Sequence, residues 1–221
     1  RFVNRLYNMR LNEKINTPFG GEPNPIIPHP SDETWNGISL PWMAYGYGVE
    51  LTPLQILTFY NSIANNGEMV KPKFVTKISS IGNKPIHEIE REIIMPSICS
   101  QKTLDVVKEM LENIVEKPWG TANRIHNDYV KIAGKTGTSQ TDYLKKEDEP
   151  VNVQYIASFV GYFPSDKPKY TGIVVIHKPK KSKGYYGGTV AAPVFKNIAQ
   201  KIQGLSPTIV EINKKDIDNL F

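Results

Sequence analysis

Val130-Lys-Ile-Ala-Gly-Lys-Thr-Gly-Thr-Ser-Gln140 is the stretch on which the reading of this chain turns. Its short, partly β-branched run reads as a strand. The run carries the tetrad Lys135, Thr136, Gly137 and Thr138. These four residues set a cation, two hydroxyls and an approachable backbone along one strand edge. Lys, Thr and Gly are common residues, so the tetrad alone also reads as a polar strand end. Its neighbours decide between the two.

Downstream, Tyr155 to Phe163 and Tyr170 to His177 read as two strands. Ile156 and Val160 stand on one face against Ala157 and Phe159 on the other. Ile173 and Val175 likewise stand against Val174 and Ile176, so both strands are expected to be covered on two faces. The turn Pro164-Ser-Asp-Lys-Pro168 makes them an antiparallel hairpin. A last helix is expected over about residues 190–203, packed through Ala191, Val194, Phe195, Ile198 and Ile202 and stopped at Gly204. Gly187 and Gly188 precede it, where tight turning explains them. Lys145-Lys-Glu-Asp-Glu149 reads as a solvated loop, and the polar tail after Pro207 as loose.

Upstream, Thr52-Pro-Leu-Gln55 is a well-marked helix start. Thr52 can cap, Pro53 suits the first turn and Gln55 completes a capping box. Ile56, Leu57, Tyr60, Ile63 and Ala64 repeat at helical spacing, and Asn66-Gly67 supplies a left-handed stop. This predicts a helix over about 53–65. A second helix is expected over about 101–116, capped by Ser100, with Leu104, Val107, Leu111, Ile114 and Val115 as its stripe and Pro118 beyond its end. Residues 68–98 look extended and exposed. Residues 16–37 hold five prolines and fold back onto apolar surface around Trp35, Ile38, Leu40, Trp42 and Met43. Phe2, Leu6 and Met9 suggest an opening helix with no cap before it. Tyr45 and Tyr47 are expected to pack in the core rather than line a cleft. Together these elements predict a mixed α+β fold, an antiparallel sheet sandwiched by helices.

The 221 residues, 39% apolar and 22% charged, describe a globular chain of about one domain. No apolar run is long enough to cross a bilayer. The sequence opens on Arg1 without a leader and is expected to be a piece of a longer polypeptide. Its single cysteine, Cys99, excludes an internal disulfide, and the four histidines lack ligand spacing, so neither metal nor cofactor is expected. The net charge of +5 comes without an interleaved basic and aromatic stripe, which argues against nucleic acid. The lysines at 178, 180, 181 and 183 read as a solvated turn.

The ordered marks resemble the C-terminal half of the transpeptidase domain of class B penicillin-binding proteins. They are Gly46-Tyr-Gly48 with Thr52-Pro-Leu-Gln55, Asn65-Asn-Gly67 before a Lys-Pro, and Lys135-Thr-Gly-Thr138. Tyr155-Ile-Ala-Ser-Phe-Val-Gly-Tyr-Phe163 and Tyr185-Tyr-Gly-Gly188 leading to Ala192-Pro-Val-Phe195 follow in order. The resemblance covers about residues 2–203 and looks closer to division-type than elongation-type enzymes.

The resemblance implies a β-lactamase/transpeptidase-like fold, here incomplete, and a peptidoglycan D,D-transpeptidase that works through a serine acyl-enzyme. In that family an S-x-x-K serine attacks, an S-x-N group relays protons and K-T-G closes the far wall. No serine of this chain stands in S-x-x-K or S-x-N. The nucleophile is therefore expected upstream of Arg1, and the piece alone is expected to be inactive. By resemblance, Lys135 and Thr138 are the catalytic candidates. Thr136, Gly137 and Thr138 are the substrate-binding candidates, with the Thr138 amide as half of an oxyanion hole.

The implied partners are peptidoglycan stem peptides, β-lactam antibiotics and other cell-division or wall-synthesis proteins. The implied location is the extracytoplasmic face of the cytoplasmic membrane, with the anchor outside this chain. The family's strand at 170–178 pairs with two strands that this sequence lacks, so self-association through a bare edge is expected. Two alternatives stand beside this reading. One keeps the fold as a β-lactamase, D,D-carboxypeptidase or β-lactam sensor; the other is a non-catalytic partner-binding module.

Overall fold

The computed structural model describes residues 1–82, 84–141 and 153–205. The run Lys145–Glu149 and the tail beyond Pro207 lie outside these residues. Helix α1 (Phe2–Asn8) opens the chain, and its first residues have no side-chain cap. The proline-rich stretch then folds back as expected. Ile27 is buried in a small cluster with Val3 and Met43, against which Trp35 packs. The Tyr7 hydroxyl donates to the Ile27 carbonyl at 2.8 Å, which ties this stretch to α1. Met43 belongs to a short helix, α2 (Ser39–Ala44), that periodicity did not reveal.

Helix α3 (Pro53–Ala64) begins as its sequence signals require. Gln55 N–H donates to Thr52 Oγ1 at 3.2 Å, and Thr52 N–H donates to Gln55 Oε1 at 2.8 Å. Asn66 and Gly67 stop it with φ of 54° and 90°. The buried face differs from the expected apolar stripe, for α3 turns inward Gln55, Thr58 and Ser62 beside Ile63. Those polar groups are satisfied locally or by neighbours. Thr58 Oγ1 donates to Leu54 O, Ser62 Oγ to Phe59 O and Gln55 Nε2 to Glu13 O.

Strands β1 (Met69–Val70), β2 (Lys77–Ser79), β3 (Pro85–Glu88) and β4 (Ile93–Met95) form two small antiparallel pairs, β1 with β4 and β2 with β3. The β2–β3 hairpin is exposed throughout. Helix α4 (Gln101–Glu116) matches its expected bounds, is capped by Ser100 Oγ and buries Leu104, Leu111 and Val115.

The central sheet has three strands in the order β5-β6-β7: β5 (Ala133–Thr141), β6 (Gln154–Phe163) and β7 (Tyr170–His177). Its antiparallel register sets Lys135 opposite Val160, Thr138 opposite Ala157 and Phe159 opposite Val174. One face carries Ala133 and Tyr162 against Ile63, Leu104 and Leu111 of α3 and α4. The other carries Phe159 and Phe163 against Phe195, Ala192 and Ala199. Phe159 and Phe163 meet the Phe195 ring edge-to-face at 4.9 and 5.7 Å. The sandwich of helices about an antiparallel sheet is as expected. β6 is largely buried; β7 meets α3 on one face and α6 on the other, as expected, and is only half-buried because it stands at the sheet edge.

The terminal helix also differs from its reading. A short helix α5 (Gly187–Val190) comes first, and α6 (Ala192–Leu205) follows with Gly204 inside it. Phe195 and Ala199 face the sheet, whereas Val194 and Ile198 lie exposed. Among the described residues no helix is long and apolar enough to cross a membrane.

Candidate active-site cleft

Strand β5 is a margin of the central sheet, so one side of its backbone is free of strand partners among the described residues. Which groups point outward follows from one contact. Gln140 N–H donates to Tyr47 Oη at 3.2 Å, away from β6. In an antiparallel strand the N–H and C=O of one residue share a side, and the side alternates along the chain. Thr138 and Thr136 therefore direct their backbone groups toward the same open margin as Gln140. Lys135 Nζ donates to the Thr136 carbonyl at 2.9 Å from that side, in agreement.

A cavity of about 710 Å³ opens against this margin, and Lys135, Thr136 and Thr138 line it together. The opposite wall comes from elsewhere: Thr121 and Arg124 beyond α4, and Tyr186, Gly188 and Thr189 at α5. The chain's own side chains do not seal the tetrad. Partial burial pushes the Lys135 ammonium below its ordinary range, because desolvation disfavours the charged form.

Both threonines are held. The hydroxyls of Thr136 and Thr121 lie 2.9 Å apart. Gly187 N–H donates to Thr138 Oγ1 at 2.9 Å, which leaves the Thr138 hydroxyl proton free to donate toward the cavity.

Close approach of backbones makes this bond, and it corrects the reading of Gly187 and Gly188 as turning residues. Both are helical, with neither at positive φ. A Cβ on Gly187 would lie 2.4 Å from Gly137 O and 2.3 Å from Ser158 O. A Cβ on Gly188 would lie 2.3 Å from Thr121 O. Glycine is required here because α5 lies directly on β5 and β6, a need that only contact across 49 residues reveals.

Aromatic groups flank the cleft. Tyr155 and Tyr185 stack at 4.1 Å, and Tyr185 meets Tyr186 at 4.4 Å. The Tyr185 hydroxyl donates to Tyr186 Oη, and that bond above all raises its pKa to about 12. Tyr45 and Tyr47 are not core residues: Tyr45 is 85% exposed, and both line a separate recess of about 310 Å³ with Trp42 and Gln140. A smaller polar recess near Gln55 holds the Lys71–Glu92 and Arg10–Glu13 pairs.

Sequence reasoning named the four residues of β5 but missed Thr121, Arg124, Tyr186 and Gly187 as parts of one cleft. Only the run Tyr185-Tyr-Gly-Gly188 carried a signal, as a motif whose physical role was read differently.

The chain belongs to the penicillin binding protein transpeptidase domain family, whose model matches residues 18–200. Peptidoglycan D,D-transpeptidase FtsI of Buchnera aphidicola subsp. Baizongia pistaciae is 32% identical over 192 residues, 87% of this chain and 31% of that protein. Its Escherichia coli namesake is 30% identical over 167 residues, 76% of this chain and 26% of that protein. Penicillin-binding protein 3 from Mycobacterium tuberculosis, solved with aztreonam, superposes with a TM-score of 0.76 at 25% identity, covering 93% of this chain and 46% of that one. The chain spans about a third or less of the length of these two curated relatives.

Proposed function

We propose that this chain is the C-terminal portion of a peptidoglycan D,D-transpeptidase domain whose S-x-x-K serine and S-x-N group stand in a preceding part of the polypeptide. The observation that carries the reading is the open β5 margin. A lysine, two threonine hydroxyls and an outward-facing amide converge there on one cavity. A D-Ala-D-Ala terminus and a β-lactam both carry a carboxylate, and both present a carbonyl for attack.

In this reading, Thr136 and Thr138 donate their hydroxyls to that carboxylate, with Lys135 beside them. Gly187 N–H, donating to Thr138 Oγ1, fixes the Thr138 rotamer. The Thr138 N–H points where charge develops on the attacked carbonyl and supplies half of the oxyanion hole. Gly137 keeps the strand slim enough for the substrate backbone to lie alongside as an added strand. Lys135, its proton made easier to lose by desolvation, biases proton transfer between the missing serine groups.

The substrates are peptidoglycan stem peptides, and β-lactams acylate the same serine. The domain works outside the cytoplasmic membrane, anchored by a segment beyond this chain, alongside other division or wall-synthesis proteins. The names of the relatives favour the division branch.

Labelling the full-length protein with a fluorescent penicillin tests the reading. A stable adduct is expected, and Lys135→Ala is expected to slow its formation by about a thousandfold, the upper end for losing one electrostatic group from an acyl-transfer site. No adduct on the wild-type full-length protein would overturn the assignment. Rapid turnover of the adduct would instead establish the β-lactamase alternative.

A further inference from the structure

Arg124 is a cation that the proposed chemistry leaves unused. The exposed Arg124 has no hydrogen bond or ion pair among the described residues, and it lines the cavity together with Thr121 and Thr136. Its base is rigid. Arg124 stands in a tight 3-10 turn, Asn123–Ile125, between fully buried Ala122 and Ile125. Asn123 Nδ2 donates to Val115 O at 3.0 Å and ties that turn to α4. Among the described residues no aspartate or glutamate lines the cavity, and the charged groups there are Lys135 and Arg124. The neighbouring acid Glu116 turns its Oε2 to His126 Nδ1 at 3.0 Å rather than to Arg124. A guanidinium without a counter-ion among the described residues, lining such a cavity, is a ready carboxylate receptor, because its planar fork matches a carboxylate with two parallel donors.

The direction of the substrate says whose carboxylate this is. With the donor's terminal carboxylate on Thr136, Thr138 and Lys135, an antiparallel added strand runs from there toward Gln140. There Tyr47 Oη already accepts the outward N–H. The donor therefore leads away from Arg124. Thr121, whose hydroxyl lies 2.9 Å from that of Thr136, and Arg124 in the turn that follows it stand toward the leaving-group end. A departing alanine fills only a fraction of about 710 Å³. An incoming amine reaches the acyl carbon from the side that the alanine leaves, by microscopic reversibility.

We infer that Arg124 is a specificity residue that binds a second carboxylate of the acceptor peptide, an inference that rests on the transpeptidase reading above. In the step it serves, the acceptor amine forms a C–N bond to the acyl carbon. The C–O bond to the serine breaks, and the amine proton passes to the serine oxygen. Arg124 takes no part in those bonds; it selects the amine that arrives.

The test uses the full-length protein acylated by a peptide thioester ending in D-alanine, with two isosteric acceptors, glycyl-D-glutamate and glycyl-D-glutamine. The ratio of aminolysis with the two is read within each protein, so differences in folding or acylation cancel. The wild type is expected to favour the dicarboxylate by about tenfold, the scale of one charge-assisted bidentate contact. Arg124→Gln is expected to bring the ratio near one, and Arg124→Lys to restore part of it. No preference in the wild type, or an unchanged preference in Arg124→Gln, overturns the assignment of Arg124 and leaves the transpeptidase reading standing. Failure of both thioester and penicillin to acylate the wild type overturns the transpeptidase reading itself.

Discussion

The two margins of the central sheet are built for opposite purposes. At β5 the margin is polar: Lys135, Thr136 and Thr138 face a cavity, and α5, which forms part of its wall, presses its glycines against the strand. At β7 the margin carries Ile173, Val174, Val175 and Ile176, only half-buried, and pairs with no second strand among the described residues. A polar, buttressed edge suits brief pairing with a peptide that must leave again. An apolar edge suits permanent cover, and bare it is a template for unwanted pairing. The difference shows that the position of a strand at a sheet edge says little about function until its side chains and its backing are known.

The largest effect that would blur this contrast is at Gly187. A methyl there meets backbone oxygens of Gly137 and Ser158, which no rotamer change relieves. Gly187→Ala is expected to destabilise the protein by about 3 kcal/mol. It should also slow penicillin acylation disproportionately by freeing Thr138, as read from denaturant midpoints beside labelling rates. Unchanged rates would mean that the β5 margin does not depend on α5.

The β7 margin is sharpened by association. The 221-residue chain is expected to self-associate as its concentration rises, followed by light scattering, and Val175→Lys to suppress this. A chain that stays monomeric throughout would remove the distinction drawn for β7.

The smallest effect lies between the two margins, on β6. The Tyr162 hydroxyl is buried with no hydrogen-bond partner among the described residues, and burial, then the Glu112 charge, raises its pKa to about 12. Tyr162→Phe removes an unsatisfied group and is expected to leave stability unchanged or raise it by up to about 1 kcal/mol in thermal melting. A clear loss would reveal a partner for the hydroxyl and a polar link across the sheet.

Much of this was legible from residue order. Thr52, Pro53 and Gln55 announced α3, and Ser100 with its apolar stripe announced α4 to the residue. The alternation of β6 and the turn before β7 announced the hairpin. Such signals are local, since a cap, a turn or a stripe is settled by neighbours within a few positions. The readings that failed depended on what lay opposite. The inward face of α3 is polar because Glu13 O and the helix's own carbonyls satisfy it, which hydrophobic spacing does not encode. Val194 and Ile198 sit on the helical stripe of α6 yet face away from the sheet.

By itself the sequence determined which residues stand on β5 and in what order, because a strand's composition and its end are written in adjacent positions. Only the tertiary structure decided which edge of that strand stays open, that Gly187 must lack a side chain and that Arg124 reaches the same cavity. Those facts arise from surfaces that meet across long separations, and there the space left between backbones selects the residue.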